Sequence, residues 1–243
     1  MIEAMHANLG EQFTITDMAR IAMFSKFHFS RVFQNATGLS PGRFLSALRL
    51  ETAKQLLLST SLSVADISIQ VGYASVGTFS ARFKSSVGVA PSTFRATGGF
   101  AARLAAQPGR RQGTGSTSVH GHVTSADPAD QDLVFVGLFS DVIVEGAPIR
   151  YALLPRGGPF VLEHVPLGRW HVLAYSVGRR HPLDGYQDRM VGARGPIMIR
   201  PETGRVRADI RLRRAGPLDP PVLLAPLGER SDPAPLGAVG LRG

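Results

Sequence analysis

Residues 25–41 read SKFHFSRVFQNATGLSP, and fifty residues later residues 75–91 read SVGTFSARFKSSVGVAP. Ser25 matches Ser75, Phe29 matches Phe79, Phe33 matches Phe83, Gly38 matches Gly88 and Pro41 matches Pro91. Each copy opens on a serine, whose hydroxyl accepts from the orphan N–H groups of a first helical turn. Each carries phenylalanines four apart, on one helix face. Each ends on a glycine, which takes the left-handed conformation that terminates helices. The repeat extends upstream to TITD (14–17) and SVAD (63–66). There a hydroxyl and an acid three residues on have the capping-box spacing. Short helices over about 15–23 and 64–71 follow. Helix, short turn, helix is the helix-turn-helix plan, and it is present twice.

Between the copies, Ser40-Pro41 supplies a cap followed by proline at the first helical position. Phe44, Leu45, Leu48, Ala53, Leu56 and Leu57 recur mostly at helical steps. The run 41–59 is therefore one amphipathic helix, roughly 30 Å long at about 1.5 Å per residue. A turn of B-DNA is about 34 Å, so such a spacer carries two recognition helices into successive major grooves. Arg43, Arg49 and Lys54 on the spacer are expected on a solvated face.

The chain of 243 residues accommodates two domains, and its net charge of +9 favours a polyanionic partner. Residues 1–97 hold nine Lys/Arg against five Asp/Glu, and residues 98–117 add three arginines. Cysteine is absent, which excludes disulfides, thiolate metal sites and a cysteine nucleophile. No apolar run reaches the ~18–20 residues that span a bilayer. The N-terminus lacks the basic-then-apolar order of a signal peptide. A cytoplasmic location with no membrane partner is expected.

These residues resemble the DNA-binding region of the AraC/XylS family of transcription regulators. The second copy carries the resemblance through Gly72-Tyr73, Ser75, Phe79, Phe83, Lys84, Gly88, Pro91 and Phe94-Arg95. The first carries it through Ser25, Arg31, Phe33, Gly38, Ser40 and Pro41, and the spacer through Phe44, Arg49, Ala53 and Leu56-Leu57. The resemblance covers about residues 2–97 and implies promoter DNA as partner. The family often has an arginine directly after the position of Ser80, where this chain has Ala81 followed by Arg82. One residue turns a side chain by about 100° on a helix, which directs Arg82 toward phosphate. Ala90 stands where Ser or Thr is usual. The region comes first in this chain, whereas most members carry it last.

The exposed positions at the start of each second helix reach base edges. In copy one these are Lys26, Phe27, His28, Ser30 and Arg31; in copy two they are Val76, Gly77, Thr78, Ser80 and Ala81, with Arg82 beside them. Arg31 or Lys26 suits guanine, and Phe27 and Val76 suit thymine methyls.

Residues 98–117, rich in Gly, Ala, Arg, Ser and Thr, read as a linker. From Ser118 the chain changes to seven short runs rich in Val, Ile, Leu and aromatics, separated by Gly, Pro and Asp. That pattern predicts an all-β sandwich over 118–224, followed by an irregular tail over 225–243. The fold class is thus multi-domain α plus β. The run PFVLEHVPLGRWHVLAYS (159–176) resembles transthyretin-like, carboxypeptidase regulatory-like sandwich modules.

Tyr151, His164, Trp170, His171 and Tyr175 are candidate lining residues for a small-molecule effector pocket. The other roles open to this half are homodimerisation of an otherwise monomeric chain and contact with RNA polymerase. His120 and His122 share a strand face and are read as edge histidines. No catalytic residue, cofactor or metal is expected, because nucleophile-elbow and metal-ligand motifs are absent. The alternative is an enzyme or repair factor targeted to DNA by its helical half.

Overall fold

The computed structural model describes residues 1–101, 117–125, 133–177 and 189–226. Seven helices come first: α1 (Ile2–Ala7), α2 (Ile15–Ile21), α3 (Lys26–Thr37), α4 (Pro41–Ser59), α5 (Val64–Gln70), α6 (Val76–Val87) and α7 (Pro91–Ala96). The start signals act as the sequence predicts. Asp17 N–H donates to Thr14 Oγ1 at 3.3 Å while Thr14 N–H donates to Asp17 Oδ2 at 3.0 Å. Ser63 and Asp66 repeat the exchange at 3.1 and 3.3 Å. Ser25 and Ser75 accept from the N–H groups of His28 and Thr78. Gly38 and Gly88 end α3 and α6 in the left-handed conformation, with φ of 76° and 93°. Ser40 differs. It occupies the N-cap position of α4, but its hydroxyl makes no capping bond, so proline alone starts that helix.

The repeat is carried in the core by two aromatic ladders. Phe29, Phe33 and Phe44 pack with ring centroids 5.5 and 5.4 Å apart. Phe79, Phe83 and Phe94, each fifty residues on, pack at 5.6 Å in both steps. Helix α7 is thus the counterpart of the start of α4, and the repeating unit has three helices. Burying each ring contributes about 1.5–3 kcal/mol.

Among the described residues eight strands follow: β1 (Ser118–Ser125), β2 (Leu133–Phe139), β3 (Arg150–Leu154), β4 (Gly158–Leu162), β5 (Gly168–Val177), β6 (Met190–Ile199), β7 (Arg205–Arg207) and β8 (Ile210–Arg214). They form one sheet in the order β3-β2-β5-β6-β8-β1-β4, with β7 paired to β1. The sandwich expected from the sequence has two separate sheets. Here pairing runs on through β8, which meets β6 at Met190 and Val191 and meets β1 at Val123–Ser125. The sheet curls into a nearly closed barrel around Val119, Val136, Leu138, Leu162, Val172 and Ile210. The run RVRADIRL (205–212), whose alternation is that of a single strand, is broken at Ala208-Asp209 into β7 and β8. At the break, Asp209 Oδ1 accepts from His122 N–H at 3.1 Å, and Gly121 admits the Ala208 backbone where a Cβ would collide.

The two halves share an interface that sequence patterning did not anticipate. Residues 98–101, read as linker, belong to the helical body: Ala101 is buried and its N–H donates to Pro226 O at 2.9 Å. Residues 102–116 and 227–243 lie outside the described residues. Where the range predicted as sandwich ends and the predicted tail begins, alternate side chains enter different cores. Val222 and Leu224 cover the outer face of β2 and β5, beside Phe135, Leu173 and Val144. Leu223 and Ala225 enter the helical core with Ile143. Extended backbone points successive side chains to opposite sides, so one strap joins both cores.

The three spacer cations are likewise not on a solvated face. Arg43 ion-pairs with Asp141 and, at 2.8 Å, with Glu145. Arg49 donates to Glu11 O at 2.7 Å. Lys54 is fully buried, donates to Val222 O at 2.9 Å and lies 3.6 Å from the Glu51 carboxylate. Burial pulls the Lys54 pKa down to about 8, against the opposing pull of Glu51. Removing one member of a buried pair leaves the other uncompensated. Lys54→Ala is therefore expected to lower unfolding free energy by about 3 kcal/mol in urea titration, and a loss below about 1 kcal/mol contradicts this assignment.

Candidate nucleic-acid interface

Helices α3 and α6 are each anchored by a phenylalanine pair and present the opposite face to solvent. At about 100° per residue, positions i, i+4 and i+7 form one ridge. On α3 that ridge is Phe27, Arg31 and Gln34; on α6 it is Gly77, Ala81 and Lys84. All six are exposed. Phe27 is 91% exposed, a value that singles out an apolar ring with no core to join. Among the described residues, Lys26, Arg31 and Lys84 make no ion pair.

The remaining candidates flank this ridge. His28 packs edge-on against Phe24 with centroids 4.7 Å apart. Ser30 Oγ donates to Lys26 O at 2.8 Å, so its hydroxyl proton is used within the helix. Thr78 accepts from Ser75 Oγ at 2.9 Å, and Val76 is 39% exposed. Ser80 is half-buried beside Phe79. Gln34 and Lys84, the third members of the two ridges, were absent from the sequence-derived set. Extending the i, i+4, i+7 rule one turn finds them. Lys84 gives the second ridge the charge that Ala81 lacks.

Arg82 is placed differently. It sits about 100° around α6 from Ala81, and its Nη2 pairs with Glu145 Oε2 at 3.0 Å. The same oxygen accepts from Ser86 Oγ at 3.1 Å. Arg82 thus faces the strand half rather than the open ridge. Burial works against the Arg43 charge, but the Asp141 and Glu145 carboxylates outweigh it and push its pKa up.

The turns entering α3 and α6 are unequal. Gly72 takes φ of 82° against Leu9 O and the Arg49 guanidinium, where a Cβ would collide. Its counterpart Met23 holds φ of 55° with the side chain 91% exposed. Left-handed backbone costs a non-glycine residue of order 1 kcal/mol. With Ile21, Phe24 and Phe27, Met23 makes an exposed apolar patch at the start of α3.

The five candidate effector residues do not converge. Tyr151 and Tyr175 stack on opposite neighbours of β2 against Phe135, with centroids 5.7 and 5.0 Å away. Tyr175 is fully buried, and burial pushes its hydroxyl pKa well up. His171 is buried on the same outer face. Burial and the Arg169 charge lower its pKa, against Asp141. Trp170 packs toward the barrel core and donates to Pro166 O at 2.8 Å, while His164 is exposed in a turn with φ of 53°. A cavity of about 240 Å³ lies instead between β5, β6, β8 and the strap, lined in part by Leu173, Val191, Arg211, Asp219 and Val222. Among the described residues no group of three or more His, Asp or Glu is placed to hold a metal, and no helix is long and apolar enough to cross a membrane.

Residues 18–97 match a family model described as a helix-turn-helix domain. An uncharacterised HTH-type transcriptional regulator of Haemophilus influenzae is 41% identical over 81 residues, which are 33% of this chain and 27% of that protein. The HTH-type transcriptional activator AarP of Providencia stuartii is 32% identical over 88 residues, 36% of this chain and 65% of that protein. Among solved structures, a transcriptional regulator with an AraC-type DNA-binding domain from Chromobacterium violaceum is 30% identical. It matches 44% of this chain and 90% of its own, with a TM-score of 0.39. The chain thus spans between about a quarter and two thirds of the length of these two curated relatives. The doubled unit of α2 to α7 and the matched range coincide: residues 18–97 of this chain are a helix-turn-helix domain.

Proposed function

We propose that this chain is a sequence-specific, double-stranded-DNA-binding transcription regulator of the AraC/XylS type. In this reading α3 and α6 lie in successive major grooves of promoter DNA, and the strand half serves as a sensing or assembly module. The observation that carries it is the repeated ridge. Two helices with matching cores expose matching positions, one before and one after a spacer helix of 19 residues in the chain. The names of the curated relatives, a regulator and an activator, support the same reading.

The ridges have different chemistry. Phe27, Arg31 and Gln34 offer an apolar ring for thymine methyls, a fork for guanine and an amide for adenine. Gly77 and Ala81 bring the α6 backbone close to the groove floor, and Lys84 supplies one cation. Copy one thereby discriminates bases by hydrogen bonds, and copy two relies more on fit and on phosphate contact.

Two substitutions separate these roles. Arg31→Ala is expected to cost about 1–3 kcal/mol on a duplex selected from a random library and to relax one base position. An unchanged selected motif removes Arg31 from the set. Lys84→Ala is expected to weaken binding evenly across sequences and to reduce the slope of log K against log salt by about one. A change confined to one base position would instead make Lys84 a base reader.

A further inference from the structure

Glu145 stands in the middle of the loop 140–149 that joins β2 to β3, and its carboxylate holds both helix-turn-helix units at once. Oε1 accepts from Arg43 Nη2 at 2.8 Å, at the start of α4, next to the end of α3. Oε2 accepts from Arg82 Nη2 at 3.0 Å and from Ser86 Oγ at 3.1 Å, both on α6. The loop backbone adds to the grip. Gly146 N–H donates to Ser86 O at 2.7 Å, and Val142 packs on Gly38, the residue that ends α3. Asp141 pairs with the other Arg43 nitrogen. On the far side of the loop, Val144 O accepts from Leu223 N–H at 2.9 Å, and Ala225 N–H donates to Val87 O at 3.0 Å. One loop and one strap of the strand half are therefore fastened to the end of α3, the start of α4 and the last turns of α6.

We propose that Glu145 is a positioning residue for DNA recognition: through Arg43 and Arg82 it fixes α6 relative to α3, and so sets the half-site spacing that the chain reads. The proposal rests on the DNA-binding reading above. The fastened flank of α6 is that of Arg82 and Ser86, and the ridge of Gly77, Ala81 and Lys84 stays exposed. The docked strand half is thus a brace for the reading geometry and not a cover over it. Without the brace, the two units are joined through α4 and its packing, and the α6 end gains freedom to follow the groove of a mis-spaced site. A single inserted base pair turns the second half-site by about 35° around the duplex axis. A rigid pair of helices cannot follow that turn, whereas a loosened pair follows part of it.

The test uses the full chain, whose lack of cysteine allows clean spin labelling. Gln34→Cys and Lys84→Cys are labelled in the wild-type background, in Glu145→Gln and in Glu145→Ala, each checked by thermal melting. The distance distribution between labels is measured without DNA. Unlabelled chains are then titrated against duplexes selected from a random library, and against the same duplexes with one base pair inserted between half-sites.

The expected result is a narrow distribution that broadens in both Glu145 variants. The insertion penalty should fall from about tenfold or more in wild type to about threefold or less in the variants. Arg82→Gln should reproduce Glu145→Gln, and the double variant should be no worse than either. An unchanged distance distribution, or an unchanged insertion penalty, overturns the proposal even if the variants melt earlier. A wild-type chain that enriches no sequence overturns the DNA reading and the spacing role together. The label distances would still separate that outcome from failure of the brace itself.

Discussion

The burial of α4 is the constraint on which the rest of the molecule depends. Phe44 seats the first aromatic ladder near its start, and Ala53 and Leu57 sit fully buried further along. Arg95 of α7 donates to Leu57 O at 3.0 Å and to Leu62 O at 2.6 Å, tying the second unit to the far end of the helix. Arg43 and Lys54 then use the remaining flank to hold the strand half. A helix with partners on so many sides cannot tilt without disturbing two cores at once. Close-packed interiors transmit that resistance. The separation of α3 and α6 is therefore a property of α4 and of what grips it.

The strand half is fitted to the helices by the same alternation that makes strands. Strands β2 and β5 are apolar on both faces because each face has a core to join. Val134, Val136, Leu138, Val172 and Ala174 face the barrel, while Phe135, Phe139, Leu173 and Tyr175 face the strap. The strap repeats the device at smaller scale, sending Val222 and Leu224 one way and Leu223 and Ala225 the other. Ion pairs finish the junction. A half-exposed pair contributes little to stability by itself. The junction's value lies in geometry, because one Glu145 carboxylate reaches both units and so couples positions that are 39 residues apart in sequence.

Much of the helical half was legible because its signals are local. Capping boxes, serine caps, the Phe29/Phe33 and Phe79/Phe83 pairs and the terminating glycines each act within four residues. Each was found where the spacing placed it, except that the Ser40 hydroxyl makes no capping bond. The ridge positions followed from the same periodicity, although Gln34 and Lys84 needed one more turn. What escaped was long-range. Arg43, Arg49 and Lys54 have the pattern of a solvated face, and only partners 98 to 168 residues away for Arg43 and Lys54 reveal otherwise. Arg82 was read toward phosphate for the same reason. The strap was lost in a run of Pro, Gly and Leu whose two-residue period is too short to stand out. In the strand half, composition and turns located the strands, but pairing partners are not written locally. The break at Ala208-Asp209 and the continuity through β8 therefore did not show.

In the proposed complex one chain places two helices in successive major grooves on one face of a duplex. Hydroxyl-radical footprinting of the full chain on a library-selected duplex tests it most directly. Two protected windows are expected on the same face of the duplex, centred about 10 base pairs apart. A single window covering one half-site, with the second helix leaving no mark at any protein concentration that saturates the first, would contradict it.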